Sequence, residues 1–162
     1  RSRKPQIQLA NHFGIRDYPC PAGGCLLTDP GFAKRMKDLI LYHPDFYLND
    51  VHLLKMGRHF RLSPKLKLVV GRNEEENQKI QTFSQEGDFL LRVSRFPGPL
   101  SLLRGEAEEL DIETAAAITA RYSKAKDLGK VEVICKDAKL SSDRTVSVSP
   151  IAAKEIERWM IN

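Results

Sequence analysis

The run Lys67-Leu68-Val69-Val70-Gly71-Arg72-Asn73-Glu74-Glu75-Glu76-Asn77 constrains this chain more than any other stretch. Lys67 to Val70 has the apolar, branched make-up of a strand, and Gly71 permits a sharp exit from it. Asn73 is then placed to cap a helix over residues 74–83, because its short side chain can accept from an N–H of the first turn. The three glutamates that follow suit the positive end of the helix dipole. A strand, a glycine and a helix start in this order can also present backbone N–H groups to a phosphate, with Arg72 as a bidentate donor beside them. A plain turn and cap explains the same residues, since glycine and asparagine are the ordinary choices for that job.

Around this motif the pattern predicts more strands than helices. Arg58 to Leu62 and Lys65 to Val70 read as two strands joined at Ser63-Pro64, and Phe89 to Ser94 and Leu100 to Leu103 flank a Phe96-Pro97-Gly98-Pro99 turn. Asp111 is expected to cap a helix from Ile112 to Ala125, whose Ala115, Ala116, Ala117 and Ala120 allow close packing on a sheet. Val131 to Cys135 and Thr145 to Ser149 supply further strands, and Ser149-Pro150 is expected to start a last helix containing Ile156 and Trp159. Strands and helices without regular βαβ repetition predict an α+β fold, a mixed and mainly antiparallel sheet packed by helices, with an N-terminal helical extension.

That extension occupies residues 1–57. A turn-rich stretch leads to Thr28 or Asp29 as N-cap with Pro30 at the first helical position, followed by Phe32, Met36, Leu39, Ile40 and His43 at helical spacing up to Pro44. A second short helix is expected from Asn49 or Asp50 through Val51, Leu53, Leu54 and Met56, with Gly57 just past its end. The apolar helix from Phe32 to Leu41 has two uses: a local core, or a docking or dimerisation face. His12, Cys20 and Cys25 supply three donors where structural zinc wants four, so no metal is expected. His12, His43, His52 and His59 fall into no ligand or catalytic spacing and read as surface or capping residues. Cys25, close ahead of the Thr28-Asp29-Pro30 helix start, would have a stabilised thiolate and could carry sulfur. A small buried residue closing the turn is the simpler role for it.

No apolar run approaches the roughly 20 residues of a membrane span, and the basic start lacks an apolar segment behind it, so a cytoplasmic protein without membrane contact is expected. The net charge of +5 suits a polyanionic partner, and the cations are unevenly spread. Arg1, Arg3 and Lys4 open the chain, while Lys124, Lys126, Lys130, Lys136, Lys139 and Arg144 gather in its last third. A solvated face explains such lysines equally well. The start at Arg1 without a methionine is expected to mark a C-terminal portion of a longer protein.

The order Gly71-Arg72-Asn73, Asn77, Asp88, Phe96-Pro97-Gly98, Ala115-Ala116-Ala117, Tyr122-Ser123 and Val131-Glu132-Val133 resembles the NFACT-R domain, from about Arg58 to Trp159. That family is the RNA-binding module of NFACT proteins, which act in ribosome quality control, and it is also fused to bacterial proteins similar to tRNA thiouridine synthetases. The Pro21 to Thr28 stretch, Pro-Ala-Gly-Gly-Cys-Leu-Leu-Thr, resembles the connector after the ATP-pyrophosphatase domain of such fusions. Two departures matter. Arg92 stands where the family carries a histidine after its aspartate, and Pro99-Leu100 follows Pro-Gly where Ser-His is usual. Both remove acid–base groups; an arginine donates to phosphate but does not shuttle protons near neutral pH.

The resemblance implies a 1–57 connector followed by a 58–162 RNA-binding domain, which presents RNA, and tRNA in particular, to an ATP-dependent sulfur-inserting domain elsewhere in the parent. Arg72, Asn73 and Asn77 are the leading expected contacts, with Arg92, Arg95, Lys124 and Lys126 next: cations for phosphates, asparagines for ribose or base edges. Tyr122 and Ser123 are expected to pack and cap. No catalytic residue is expected in this segment, a sulfur-carrying Cys25 being the alternative. No cofactor is expected here either, since neither a pyrophosphatase loop nor a Gly-x-x-x-x-Gly-Lys-Ser/Thr loop occurs, and ATP would be used by the parent. The upstream pyrophosphatase domain is the second expected partner.

Overall fold

The computed structural model describes residues 4–14, 26–138 and 143–161. Cys20 and Cys25, and with them the sulfur-carrier expectation, lie outside the described residues.

Six strands form one sheet: β1 Arg58–Ser63, β2 Leu66–Val70, β3 Phe89–Val93, β4 Ser101–Gly105, β5 Val131–Asp137 and β6 Asp143–Val148. Their order is β1-β2-β4-β3-β5-β6, every neighbouring pair antiparallel. With helices packed against it, this is the α+β fold that the pattern predicts. The residue types of each strand follow its coverage. β2 and β4 are largely covered on both faces because helices lie on both sides, Lys67 and Arg104 being ion-paired there, whereas β5 alternates, burying Val131, Val133 and Cys135 and exposing Glu132 and Lys136.

On one face lies α5, Glu109–Arg121. Phe60, Leu68, Val70, Leu91, Leu103 and Val133 pack there against Ile112, Ala115, Ala116 and Ile118. The alanines let helix and sheet approach closely, and truncating a buried side chain of this size, Phe60→Ala for example, costs about 3–5 kcal/mol. The opposite face is covered over β2 and β4 by α3, Leu48–Leu53, and α4, Glu74–Thr82, through Val69, Leu102, Leu53, Met56 and Ile80.

The N-terminal helices are α1, Lys4–His12, and α2, Pro30–Tyr42, capped by Asp29, which accepts from Phe32 N–H at 2.6 Å. α1 has no counterpart in the expected elements. Phe32 and Leu39 of α2 are spent on a local core with Leu54, while Ile40, expected on the same stripe, faces solvent.

A seam of buried charge ties these helices to the sheet. Asp38 of α2 holds Arg61 at 2.6 Å and Lys67 at 3.3 Å. Asp50 of α3 holds Arg104 at 2.6 Å, and Arg104 also grips Asp88 at 2.6 and 2.9 Å and donates to the Phe83 carbonyl. Asp88, one of the residues carrying the family resemblance, is therefore a buried counter-ion. Burial pushes the Lys67 ammonium down to about 8, against the opposing pull of Asp38.

Several element ends differ from the expected ones. Asp50 and Asp111 are not N-caps but third-position residues of their helices. Each reaches back to a backbone N–H three residues earlier, Tyr47 at 2.8 Å and Glu108 at 3.0 Å, as the acid of a capping box does. α5 ends at Arg121 rather than Ala125, because Ser123 Oγ donates to the Ala120 carbonyl and accepts from Ala125 N–H, turning the chain outward. Gly57 lies three residues beyond the C-cap Leu54 instead of next to it. The last helix, α6, is only Ala153–Ile156 and leaves Trp159 outside. Beyond it the chain runs along β1: Arg61 N–H donates to the Trp159 carbonyl, Ile161 N–H donates to the His59 carbonyl, and Met160 bridges Phe60. His59, expected at the surface, is buried, with Nε2 2.8 Å from the Met56 carbonyl. Burial holds its pKa well below the ordinary value. No helix among the described residues is long and apolar enough to cross a membrane.

Candidate nucleic-acid interface

Three loops at one end of the sheet enclose an open cleft of about 620 Å³. The first is the exit from β2. Asn73 caps α4, accepting from Glu76 N–H at 2.9 Å, and Glu76 in turn accepts from Arg72 N–H at 2.8 Å. The N–H groups of Arg72 and Glu76 are thus satisfied within the loop, and the cleft is lined here by the side chains of Arg72, Asn73, Glu74 and Asn77. The Arg72 guanidinium donates to the Gly57 carbonyl at 2.8 Å and lies 3.6 Å from Glu76, with 44% of the side chain still exposed.

The second loop is Pro97-Gly98-Pro99-Leu100. Asn77 Oδ1 accepts from Leu100 N–H at 2.9 Å, and Gly71 N–H donates to the Leu100 carbonyl at 3.0 Å. Asn77 braces one loop against the other. Its Oδ1 occupies the space that a Cβ on Gly71 would take, which accounts for a glycine and an asparagine six positions apart. The third loop follows α5. Lys124 N–H donates to the Pro97 carbonyl at 2.9 Å, and a Cβ on Gly98 would come 2.7 Å from that of Ser123. The Pro97-Gly98 turn is therefore pinned on both sides by close backbone approach.

Among the described residues five cations, Arg58, Arg72, Arg121, Lys124 and Lys126, line this cleft against one lining carboxylate, Glu74, with Glu76 beside Arg72. The Arg58 guanidinium stacks on the Tyr122 ring, 4.7 Å from its centre. Burial raises the Tyr122 phenol above its usual range despite Arg58 and Arg121, so it stays protonated and able to donate near neutral pH. Among the described residues no histidine or cysteine lines the cleft. The arrangement can neutralise and hold successive phosphates with side-chain donors on a fixed frame.

Of the residues expected from sequence, Arg72, Asn73, Asn77, Lys124 and Lys126 come together here, the asparagines with their carbonyl oxygens committed to the frame. Arg92 and Arg95 do not join them. Arg92 is exposed on β3, on the face away from α5, opposite Ile134 of β5. Arg95 lies in a neighbouring groove, 3.9 Å from Glu132. Arg58 and Arg121 were not singled out from sequence. The local signals were an arginine opening a strand and one just ahead of Tyr122-Ser123, too ordinary to separate from other surface cations.

A family model described as "NFACT protein RNA binding domain" matches residues 57–160. Among solved structures, the C-terminal part of the fibronectin/fibrinogen-binding protein from Streptococcus suis is similar with a TM-score of 0.59 and 14% identity, over 98% of this chain and 75% of that one. This likeness is one of fold, and it takes in the N-terminal helices. No curated protein matches. With the matched segment spanning most of the chain and containing all three loops of the cleft, the chain belongs to the NFACT RNA-binding domain family.

Proposed function

We propose that this chain binds structured RNA, tRNA in particular, in the three-loop cleft, and that it serves as the C-terminal module of a tRNA thiolation protein, presenting tRNA to an ATP-dependent sulfur-inserting domain. The carrying observation is the set of five cations around a single lining carboxylate, on loops fixed by backbone hydrogen bonds and lying within the family segment. Recognition is by phosphate contact and shape, because the asparagine carbonyls that could read bases are engaged by the frame. The thiolation context draws its support from the similarity of residues 21–28 to the connector of such fusions. This chain needs no cofactor for the role; ATP belongs to the parent.

Titration with labelled tRNA at about 50 and 200 mM salt tests the binding, which should weaken steeply over that range as counterion release becomes less favourable. Arg72→Ala with Lys124→Ala should weaken binding to many RNAs alike. Salt-independent binding, or unchanged affinity in the double variant, overturns the proposal. Unchanged thiolated nucleosides in tRNA from cells whose parent protein lacks residues 57–160 would remove the thiolation context alone.

A further inference from the structure

The Ser94 to Pro99 turn divides two grooves. One is the cleft; the other, of about 410 Å³, is lined by Arg95, Phe96, Leu128, Lys130 and Glu132 among others. The segment after α5 serves both, sending Lys124 and Lys126 to the cleft and Leu128 and Lys130 to the second groove. Phe96 stands on the divide, 42% exposed.

An exposed phenylalanine is ordinary by itself. What sets this one apart is its mounting. Ser94 N–H donates to the Glu132 carbonyl at 2.9 Å just before it, and the Pro97 carbonyl accepts from Lys124 just after it. Pro97 and Pro99 fix two backbone angles, and the Asn77 and Gly71 bonds hold Leu100. The ring is carried on a frame whose ordering cost is already met in the free protein. Cations lie on both sides of it, and the Arg95–Glu132 contact, 3.9 Å long between exposed side chains, is too weak to keep Arg95 from a phosphate.

Resting on the RNA-binding proposal above, we infer that an RNA strand crosses this turn, its phosphates held in both grooves and one unpaired base stacked on Phe96. The substrate class is RNA with an unpaired nucleotide, in a loop or an overhang, beside a helical segment. A blunt duplex keeps its bases in the stack and offers nothing to this ring.

The test compares two RNAs with equal numbers of phosphates, a blunt duplex and the same helix carrying an unpaired loop, each titrated against the full chain. The loop RNA should bind about tenfold more tightly. Phe96→Ala should abolish that preference and leave the blunt duplex unaffected, while Phe96→Trp retains it. A 2-aminopurine in the loop should change its fluorescence with the wild-type chain and not with Phe96→Ala. Equal affinities for the two RNAs, or a preference that survives Phe96→Ala, overturns the inference. If Lys124→Ala/Lys126→Ala weakens both RNAs while Phe96→Ala alters neither, only the stacking falls. If neither RNA binds, the cleft proposal falls with it.

Discussion

In the seam between the N-terminal helices and the sheet, Arg61, Lys67 and Arg104 are each closed off by Asp38, Asp50 or Asp88, with at most 19% of any of these cationic side chains exposed. In the cleft, Arg121, Lys124 and Lys126 enter none of the ion pairs among the described residues. The same residue types thus serve opposite ends. A cation whose carboxylate is supplied from within fixes one helix against one strand and has no field left for a ligand. A cation left without one adds little to stability and keeps its charge for a polyanion. Net charge alone does not separate the two classes; the placing of the carboxylates does.

The contrast breaks most visibly at Arg104. Arg104→Leu strands Asp50 and Asp88 as buried, uncompensated charges, and urea unfolding should show a loss of about 3–5 kcal/mol, with RNA affinity of the folded fraction unchanged. Asn77 lies between the two classes, a neutral residue bracing the cleft. Asn77→Ala leaves Leu100 N–H without its acceptor and should cost about 1–3 kcal/mol in the same measurement, whereas Asn77→Asp keeps the acceptor, holds stability better, and weakens RNA binding by adding a negative charge. Lys124→Ala with Lys126→Ala should do the reverse of Arg104→Leu. RNA affinity should fall on the order of tenfold and the slope of log affinity against log salt by about 2, with stability within about 0.5 kcal/mol of the parent.

The smallest effect is a pH profile. Above about pH 8, Lys67, lowered to about 8 from 10.5, releases its proton in the folded chain while the unfolded chain still holds it. Stability therefore rises with pH from about 8, by about 1 kcal/mol up to pH 9. Cys135, raised by burial to about 11 from 9.0, acts with the opposite sign above pH 9, the folded chain keeping a proton that the unfolded one loses. Lys67→Met should flatten the rise between pH 8 and 9, as followed by denaturation at a series of pH values; a rise that persists would place its origin elsewhere.

What sequence could and could not tell follows from the range of each interaction. The strand, glycine and cap at residues 66–77 were legible because every partner lies within a few positions: Asn73 caps Glu76, and the acidic turn follows at once. The bracing role of Asn77 was not, because its partner Leu100 is 23 residues away. The starts of α3 and α5 were misplaced since an aspartate at the cap and one at the third helical position look alike until a backbone N–H is seen to choose between them. Arg92 and Arg58 show the same limit at the site. Each is an arginine on a strand, and only the sheet register turns one toward Ile134 and stacks the other on Tyr122. His59 was misjudged because the tail that pairs with its backbone, Ile161, lies about a hundred positions downstream.

The tail lying on β1 has a consequence for synthesis. Phe60 meets Met160 a hundred positions downstream, and the backbone groups of His59 and Arg61 find their partners in that same late stretch. As the chain emerges from a ribosome, its first strand must wait with one flank bare until nearly all the others have been made. During that interval the bare flank is open to adventitious pairing, and a chaperone that shielded it would raise the yield of folded protein without touching any later step.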